Sequence, residues 1–396
     1  MNSVKIALIT LAVSFAAFVS IVGYQCLAVN QDHNHDDDSA NLYNFVNPTD
    51  YQGQTRTYYI ASDEVKWNYA PTGINQITGV SLKDDETAAV YTISGKDRIG
   101  STYIKCLYRG YTDSTFTTHQ AADAKWEHLG MLGPVIHAEV GDTIKVVFKN
   151  NCSIPTSMHP HGVSYDKSSE GAPYNDGVKN SDKPGADVQP GGTYTYTWQV
   201  PVRAGPGPHD PSSIVWMYHS HVDEVSDTYA GLEGPIIITR HGEANPDGTP
   251  KGVDQEFVTM FSVMNENNSP YIDKNIQAFA QDPSSVNKDD ADFQESNLMH
   301  SINGYVFGNL SGLEMKANTH VRWYVLGVGT EVDLHTPHWH GNTLLMDGMR
   351  TDMVELLPMS MKTLDMYPDN AGTWLYHCHV NDHISAGMLS MYTVIP

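Results

Sequence analysis

The sequence of 396 residues is poor in positive charge, in cysteine and in long apolar stretches. Lysine and arginine number 23 against 46 aspartate and glutamate residues, which gives a formal net charge of −23. A surface of this charge repels nucleic acid and anionic lipid, so we expect no nucleic-acid partner. Solubility in a salty medium is an equally good interpretation of the charge.

Long apolar runs are missing everywhere except near the N-terminus, where residues 6–31 contain no charge. We interpret residues 1–28 as a secretory signal or as an uncleaved membrane anchor. Either predicts an extracytoplasmic protein that is secreted, periplasmic or pseudoperiplasmic, or anchored facing outside. Residues 29–54 are polar and contain few core-forming side chains, which is typical of a linker.

The four cysteines allow few pairings. Cys26 lies in the export segment, and Cys378 lies in a histidine-rich motif that requires a thiolate. Cys106 and Cys152 remain, and they either form a disulfide in an oxidising compartment or are two unpaired buried thiols.

Long helical periodicity is also absent, and from Arg56 onward short alternating runs are broken by Gly, Pro, Asn and Asp. This pattern predicts an all-β chain built of β-sandwiches. A segment rich in Gly, Pro and charge at 241–254 separates a first domain, 55–243, from a second, 250–396. The two halves repeat each other, because 215–222 parallels 373–380 and HPHG at 159–162 parallels HWHG at 338–341.

The most informative stretch is HCHVNDHISAGM at 377–388. On a strand, His377 and His379 point to one face and Cys378 points to the other. His383 and Met388 follow beyond a short loop, where they can meet Cys378. A thiolate, imidazoles and a distant thioether are the ligands of a blue-copper electron-transfer site.

Whether two residues of a strand are an even or an odd number of positions apart predicts whether they share a face, and this rule assigns the remaining histidines to one site or another. His335 lies an odd number of residues before His338, so it should face the side of Cys378 and complete a site with His383 and Met388. Eight histidines then remain in pairs spaced i and i+2, enough imidazoles for about three further copper ions. These pairs are His159 and His161, His219 and His221, His338 and His340, and His377 and His379.

Together these motifs resemble the multicopper oxidases, with YRGYTDSTFT, HLGMLGPVI, AEVGDTIKVVFKN, MYHSHVD, AGLEGPI and HCHVNDHISAGM closest to domains of the ceruloplasmin type. The resemblance runs from about residue 56 to the end. It implies two tandem cupredoxin-like Greek-key β-sandwich domains and an enzyme that couples one-electron oxidations of a metal ion, phenol or small inorganic donor to reduction of O2 to water. The rival enzyme is a copper-containing nitrite reductase.

The resemblance also assigns roles to the candidate ligands. It implies about four copper ions per chain, with Cys378, His377 and His379 carrying electrons between the centres. The type 1 copper is assigned to His335, Cys378, His383 and Met388, and the type 2 copper to His159 and His338. The type 3 pair is assigned to His161, His219, His221, His340, His377 and His379.

The first domain departs from the second at the type 1 positions. Ser220 replaces Cys378 and Thr156 replaces His335, while Val225 and Leu232 stand where His383 and Met388 would. We therefore expect type 1 copper in the second domain only. The resemblance further implies a homotrimer with trinuclear clusters at its subunit interfaces, and a monomer with an intramolecular cluster is the alternative. Loop carboxylates that could supply protons to O2 are Asp166, Glu170, Asp223 and Asp382.

Overall fold

The computed structural model describes residues 51–330 and 333–396. The predicted signal or anchor and the linker up to residue 50 lie outside the described residues. In the first half the strands are β1 (Thr55–Asn68), β2 (Thr102–Tyr111), β3 (Ile136–Glu139), β4 (Thr143–Asn150), β5 (His159–Pro160), β6 (Thr193–Gln199), β7 (Ser213–His219) and β8 (Glu233–Thr239).

The second half contributes ten more strands within the described ranges. They are β9 (Gln255–Asn265), β10 (Leu298–Ile302), β11 (Glu314–Lys316), β12 (Val321–Gly327), β13 (Pro337–Trp339), β14 (Leu344–Met346), β15 (Met349–Thr351), β16 (Met361–Met366), β17 (Gly372–Cys378) and β18 (Leu389–Ile395).

Helices are short throughout the described part of the chain. The α-helices are α1 (Glu86–Thr92), α2 (Glu224–Ala230), α3 (Ile272–Phe279), α4 (Ala291–Ser296) and α5 (Asn381–Ser385). Single 3-10 turns occur at Ala124–Leu129, Lys167–Ser169, Asn180–Asp182, Val202–Ala204, Glu266–Asn268 and Pro283–Ser285. In the described residues, none of the helices has the length and apolar character needed to cross a membrane.

The strands form four sheets whose order repeats between the halves. The first half has sheets β2-β1-β4-β6 and β3-β8-β7-β5, and the second has β10-β9-β12-β16 and β11-β18-β17-β13 in the matching places. The parallel pairs recur as well, since β1 with β4 corresponds to β9 with β12. The hairpin β14–β15 extends one sheet of the second half. This arrangement agrees with the predicted β-sandwiches and with the internal repeat.

Alternating side chains explain how each sandwich acquires its core. Strand β6, TYTYTWQ, buries Tyr196 and Trp198 and exposes Thr193, Thr195 and Thr197, as expected for a strand with one face toward a core. One apolar cluster lies within the first half and another within the second. A third cluster joins Val215 and Met217 of β7 to Tyr324 and Leu326 of β12, so the two sandwiches share a packed apolar interface.

Of the two alternatives for Cys106 and Cys152, the structure has the disulfide. Cys106 lies on β2 and Cys152 lies just after β4, with their Cα atoms 6.0 Å apart, within the range that a disulfide spans. Cys378 is a free, buried thiol. Among the described residues, the remaining thiol is therefore the one in the histidine-rich motif.

Candidate metal centres

Strand β17 carries the central motif between two neighbouring strands. Antiparallel pairing places His377 opposite His338 of β13 and opposite Leu389 of β18. Because successive side chains alternate, Cys378 faces the interior of the second sandwich, where it belongs to the apolar cluster. The same strand thus contributes to two separate sets of ligands.

The first set contains His335, Cys378 and His383, which are at most 3% exposed. The Nδ1 atoms of the two histidines lie 3.2 Å apart, and they lie 3.9 Å and 3.7 Å from the Cys378 sulfur. The structure therefore brings together three of the four residues predicted for the type 1 site, with their ligand atoms converging.

Backbone contacts hold the sulfur in place. The amides of Thr336 and Val380 donate to Cys378 Sγ at 3.4 and 3.5 Å. Burial raises the pKa of the thiol, while these amides act in the opposite direction. The fourth predicted ligand, Met388, is fully buried in the same cluster, and its carbonyl accepts from the Cys378 amide at 3.1 Å. A redox metal that stabilises a thiolate fits this donor set.

The second set belongs to the first sandwich. Ligand atoms of His159, His161 and His219 lie within 4.8 Å of one another, and the Nε2 atoms of His161 and His219 are 3.1 Å apart. The ring of His221 lies 5.2 Å from that of His159. All four candidate ligands of the first half therefore cluster.

The third set is the counterpart in the second sandwich. Ligand atoms of His338, His340 and His377 also lie within 4.8 Å, and His340 and His377 repeat the 3.1 Å approach of their Nε2 atoms. His379 places its ring 5.3 Å from that of His338. Among the described residues, no ring contact or hydrogen bond joins a histidine of the second set to one of the third.

Hydrogen bonds fix the tautomers of several rings. The Nδ1 atoms of His159, His219 and His377 face the carbonyls of Glu170, Ser220 and Cys378 at 2.7, 3.0 and 2.7 Å. A carbonyl only accepts, so each Nδ1 carries the proton and each Nε2 keeps its lone pair.

Burial keeps these imidazoles neutral, which is the form that binds metal. It lowers the pKa of His161 to about 4, with the neighbouring histidines adding to the effect. It lowers the pKa of His219 to about 3 and that of His383 to about 4 for the same two reasons. The donor atoms and their protonation state therefore fit copper.

Sequence reasoning missed Asp333 and His300, which lie beside the first set, and Glu295, whose charge acts on His300. Asp333 is fully buried and lies 3.2 Å from Nε2 of His335. The ring of His300, on β10, lies 5.3 Å from that of His383. Burial lowers the pKa of His300, and the charges of Glu295 and Asp382 oppose this shift. Only the spacing of Asp333 before His335 was visible in the sequence. The other two come from strands and helices far away in the chain.

The fold and its clusters define a two-domain β-sandwich metalloprotein of the cupredoxin type, whose described residues include one Cys/His centre and two histidine clusters. The chain belongs to the multicopper oxidase family, because two family models described as multicopper oxidase match residues 128–243 and 275–396. The family and fold predicted from the motifs are thereby confirmed.

Known relatives agree with this assignment. Hephaestin of Rattus norvegicus is 45% identical over 349 residues, which cover 88% of this chain and 30% of hephaestin. Ferroxidase HEPHL1 of Homo sapiens is 45% identical over 341 residues, covering 86% and 29%. Ceruloplasmin of Mus musculus is 43% identical over 355 residues, covering 89% and 32%. The chain thus spans roughly a third of the length of these relatives.

Solved structures share the fold. A crystal structure of a multicopper oxidase covers 86% of this chain and 89% of its own at a TM-score of 0.54 and 17% identity. A blue copper oxidase from Nitrosomonas europaea covers 86% and 85% at a TM-score of 0.50 and 18% identity.

Proposed function

We propose that the chain is an oxidase that takes electrons one at a time from a reducing substrate and delivers them to O2. Type 1 copper would be held by His335, Cys378, His383 and Met388. Type 2 copper would be held by His159 and His338, and the type 3 pair by His161, His219, His221, His340, His377 and His379. Bound copper supplies the one-electron redox chemistry and the binding of O2.

The observation that carries this proposal is the position of Cys378, the last residue of β17, between the cluster histidines His377 and His379. Its sulfur lies with His335 and His383, whereas the neighbouring His377 lies with His338 and His340. One peptide bond on each side of the cysteine therefore links the two candidate centres. The backbone amides of Thr336 and Val380 orient the sulfur, and Cys378 is fully buried.

Each domain offers half of the histidines that a trinuclear cluster needs. The two halves make no contact within one chain among the described residues, and His159, His161, His338 and His340 are only partly buried. Both facts support a homotrimer in which domain 1 of one copy meets domain 2 of the next, a closed ring of heterologous interfaces.

A divalent metal ion, and Fe(II) in particular, is the donor that the surroundings of the type 1 site support. Burial lowers the pKa of His300, while the Leu298 carbonyl and the charges of Glu295 and Asp382 oppose the shift. The His300 Nδ1 faces that carbonyl at 3.0 Å, so Nε2 keeps a lone pair that can bind a metal ion. The His300 ring lies next to His383, so an ion bound here would lie beside a type 1 ligand. The names of relatives that include ferroxidase HEPHL1 support the same donor.

The disulfide supports a compartment outside the cytoplasm. Disulfides persist in oxidising environments and are rare in reducing ones. Cys106 and Cys152 are both buried in the first sandwich. We therefore propose that the two domains face the outside of the cell, whether the N-terminal segment is a signal or an anchor.

Copper counting and O2 uptake test the function together. We expect about four copper ions per chain and O2 consumption driven by Fe(II), without reduction of nitrite. A count near two with nitrite turnover would instead identify the reductase, and a single copper without O2 uptake would identify an electron carrier. Glu295→Gln and His300→Ala should raise the KM for Fe(II) while leaving oxidation of an organic donor unchanged.

A further inference from the structure

Asp333 is a fully buried carboxylate that accepts from two backbone amides and faces a histidine nitrogen. Its Oδ1 accepts from the amide of Val263 at 2.6 Å, and its Oδ2 accepts from the amide of Thr330 at 2.7 Å. Oδ1 also lies 3.2 Å from Nε2 of His335. Two backbone amides therefore fix the carboxylate from β9 and from the loop after β12, independently of the histidine.

This contact determines which nitrogen of His335 carries the proton. Next to a carboxylate oxygen that already accepts from an amide, Nε2 is the donor, and Nδ1 keeps its lone pair. Nδ1 is the atom that faces the Cys378 sulfur and Nδ1 of His383. The carboxylate thus presents the correct nitrogen to the type 1 site.

In the part of the chain that the structure describes, the other candidate ligands lack an equivalent partner. His159, His219 and His377 donate to neutral carbonyls. The carboxylates that face His221 and His338, Glu224 and Asp352, are about half exposed at 47% and 52%, so water screens their charge. The side chain of Asp333 is only 1% exposed, and its charge therefore acts on His335 with little screening.

The first domain provides an internal comparison. Counting back from His159 and His338 places Ile154 at the position of Asp333 and Thr156 at that of His335. Thr156 makes its contact through a hydroxyl, 3.0 Å from that of Ser62, and needs no partner to set a tautomer. Domain 2 has Asp333 together with His335 and Cys378, and domain 1 has none of these three residue types at the matching positions.

We infer that Asp333 is a positioning residue that sets the tautomer of His335 and lowers the reduction potential of the type 1 copper. The inference rests on the proposed function. A fixed negative charge beside the ligand makes the imidazole a stronger donor and favours the more highly charged, oxidised ion.

The test compares Asp333→Asn with Asp142→Asn in the full-length, copper-loaded protein. Asp142 is the matched control, because it is buried in the first domain and likewise accepts from two amides, those of Gln54 and Glu139, at 2.8 and 2.9 Å. Redox titration of the type 1 absorption band should give a higher potential for Asp333→Asn, with copper affinity reduced about 10- to 100-fold. Asp142→Asn should lose stability and keep the wild-type potential.

A measurement on the wild-type protein covers the case in which Asp333→Asn does not fold. In metal-free protein, long-range ¹H–¹⁵N spectra should show His335 protonated at Nε2, and a ring protonated at Nδ1 would overturn the inference. A folded Asp333→Asn with an unchanged potential would overturn it too. Wild-type protein that binds copper without a type 1 band would instead contradict the proposed function, and the tautomer would still decide whether Asp333 orients His335.

Discussion

The two domains keep the same backbone around position 220 and position 378 while differing in what the side chains can bind. The amide of Ser157 donates to Ser220 Oγ at 3.1 Å, just as the amide of Thr336 donates to Cys378 Sγ. The amides of Ser220 and Cys378 both donate at 3.1 Å, to the carbonyls of Leu232 and Met388 respectively. The proposed type 1 centre thus depends on which side chains the two domains place on the same backbone arrangement.

In domain 1, hydrogen bonds pair the polar groups at these positions, whereas in domain 2 the same positions carry candidate metal ligands. Ser220 Oγ donates to Asp227 at 2.5 Å, and burial raises the pKa of Asp227 to about 6. Val225, at the position of His383, is 59% exposed. A buried site that loses its metal ligands must still pair its polar groups, and the Ser220–Asp227 contact does so. His219, the neighbouring residue on β7, still lies with His159 and His161.

The largest effect should come from making domain 2 resemble domain 1. Cys378→Ser removes the only free thiol among the described residues, so we expect the type 1 absorption band to disappear and donor-dependent O2 uptake to fall to background. Copper at the histidine clusters should stay bound, as elemental analysis would show. The matched change in domain 1, Ser220→Ala, should keep both the band and the activity. A Cys378→Ser protein that is still blue and active would refute the ligand assignment.

The next prediction tests whether the two half-clusters meet between chains. His161→Ala damages the domain 1 half and His340→Ala the domain 2 half, so each variant alone should be inactive. If subunits are mixed during refolding, about a quarter of the interfaces in a ring would pair two intact halves, and O2 uptake should recover to roughly that fraction.

Controls make this mixing experiment decisive. His119→Ala changes an exposed histidine outside the three sets and should be fully active with or without mixing. Mixtures that stay inactive although sedimentation shows mixed assemblies would favour a cluster formed within one chain.

Periodicity made much of this architecture predictable. Alternation along β17 is a local property of the backbone, so the separation of Cys378 from His377 and the odd offset of His335 follow from residue spacing alone. The repeat of sheet order follows from the repeated motifs. Fold class and family were therefore accessible from the sequence.

The surroundings of the centres were not accessible, because they depend on contacts between distant segments. His300 on β10 reaches His383 on α5, and Val263 on β9 positions Asp333. The i to i+2 spacing says nothing about which strands become neighbours. The choice between a disulfide and two thiols at Cys106 and Cys152 was open for the same reason, since it depended on the distance between β2 and the turn after β4.

The smallest predicted effect concerns a polar side chain found in only one of the two domains. Strand pairing places Glu233 opposite His219 in domain 1, whereas Leu389 lies opposite His377 in domain 2. Glu233 is 1% exposed, and burial raises its pKa from 4.5 to about 8, although Lys105 opposes the shift. Folding therefore favours the protonated carboxyl group of Glu233. The stability that Glu233 contributes is complete below pH 4.5 and is lost as the pH rises toward 8.

Glu233→Gln removes this titration while preserving the shape of the side chain. Between pH 5.5 and 8, wild-type protein should lose on the order of 1–3 kcal/mol of unfolding free energy relative to the variant, measured by urea denaturation at both pH values. Glu233→Leu, which copies domain 2, should show the same flattened pH dependence. Parallel pH dependences for wild type and both variants would mean that Glu233 ionises normally inside the fold, and this difference between the domains would then have no energetic consequence.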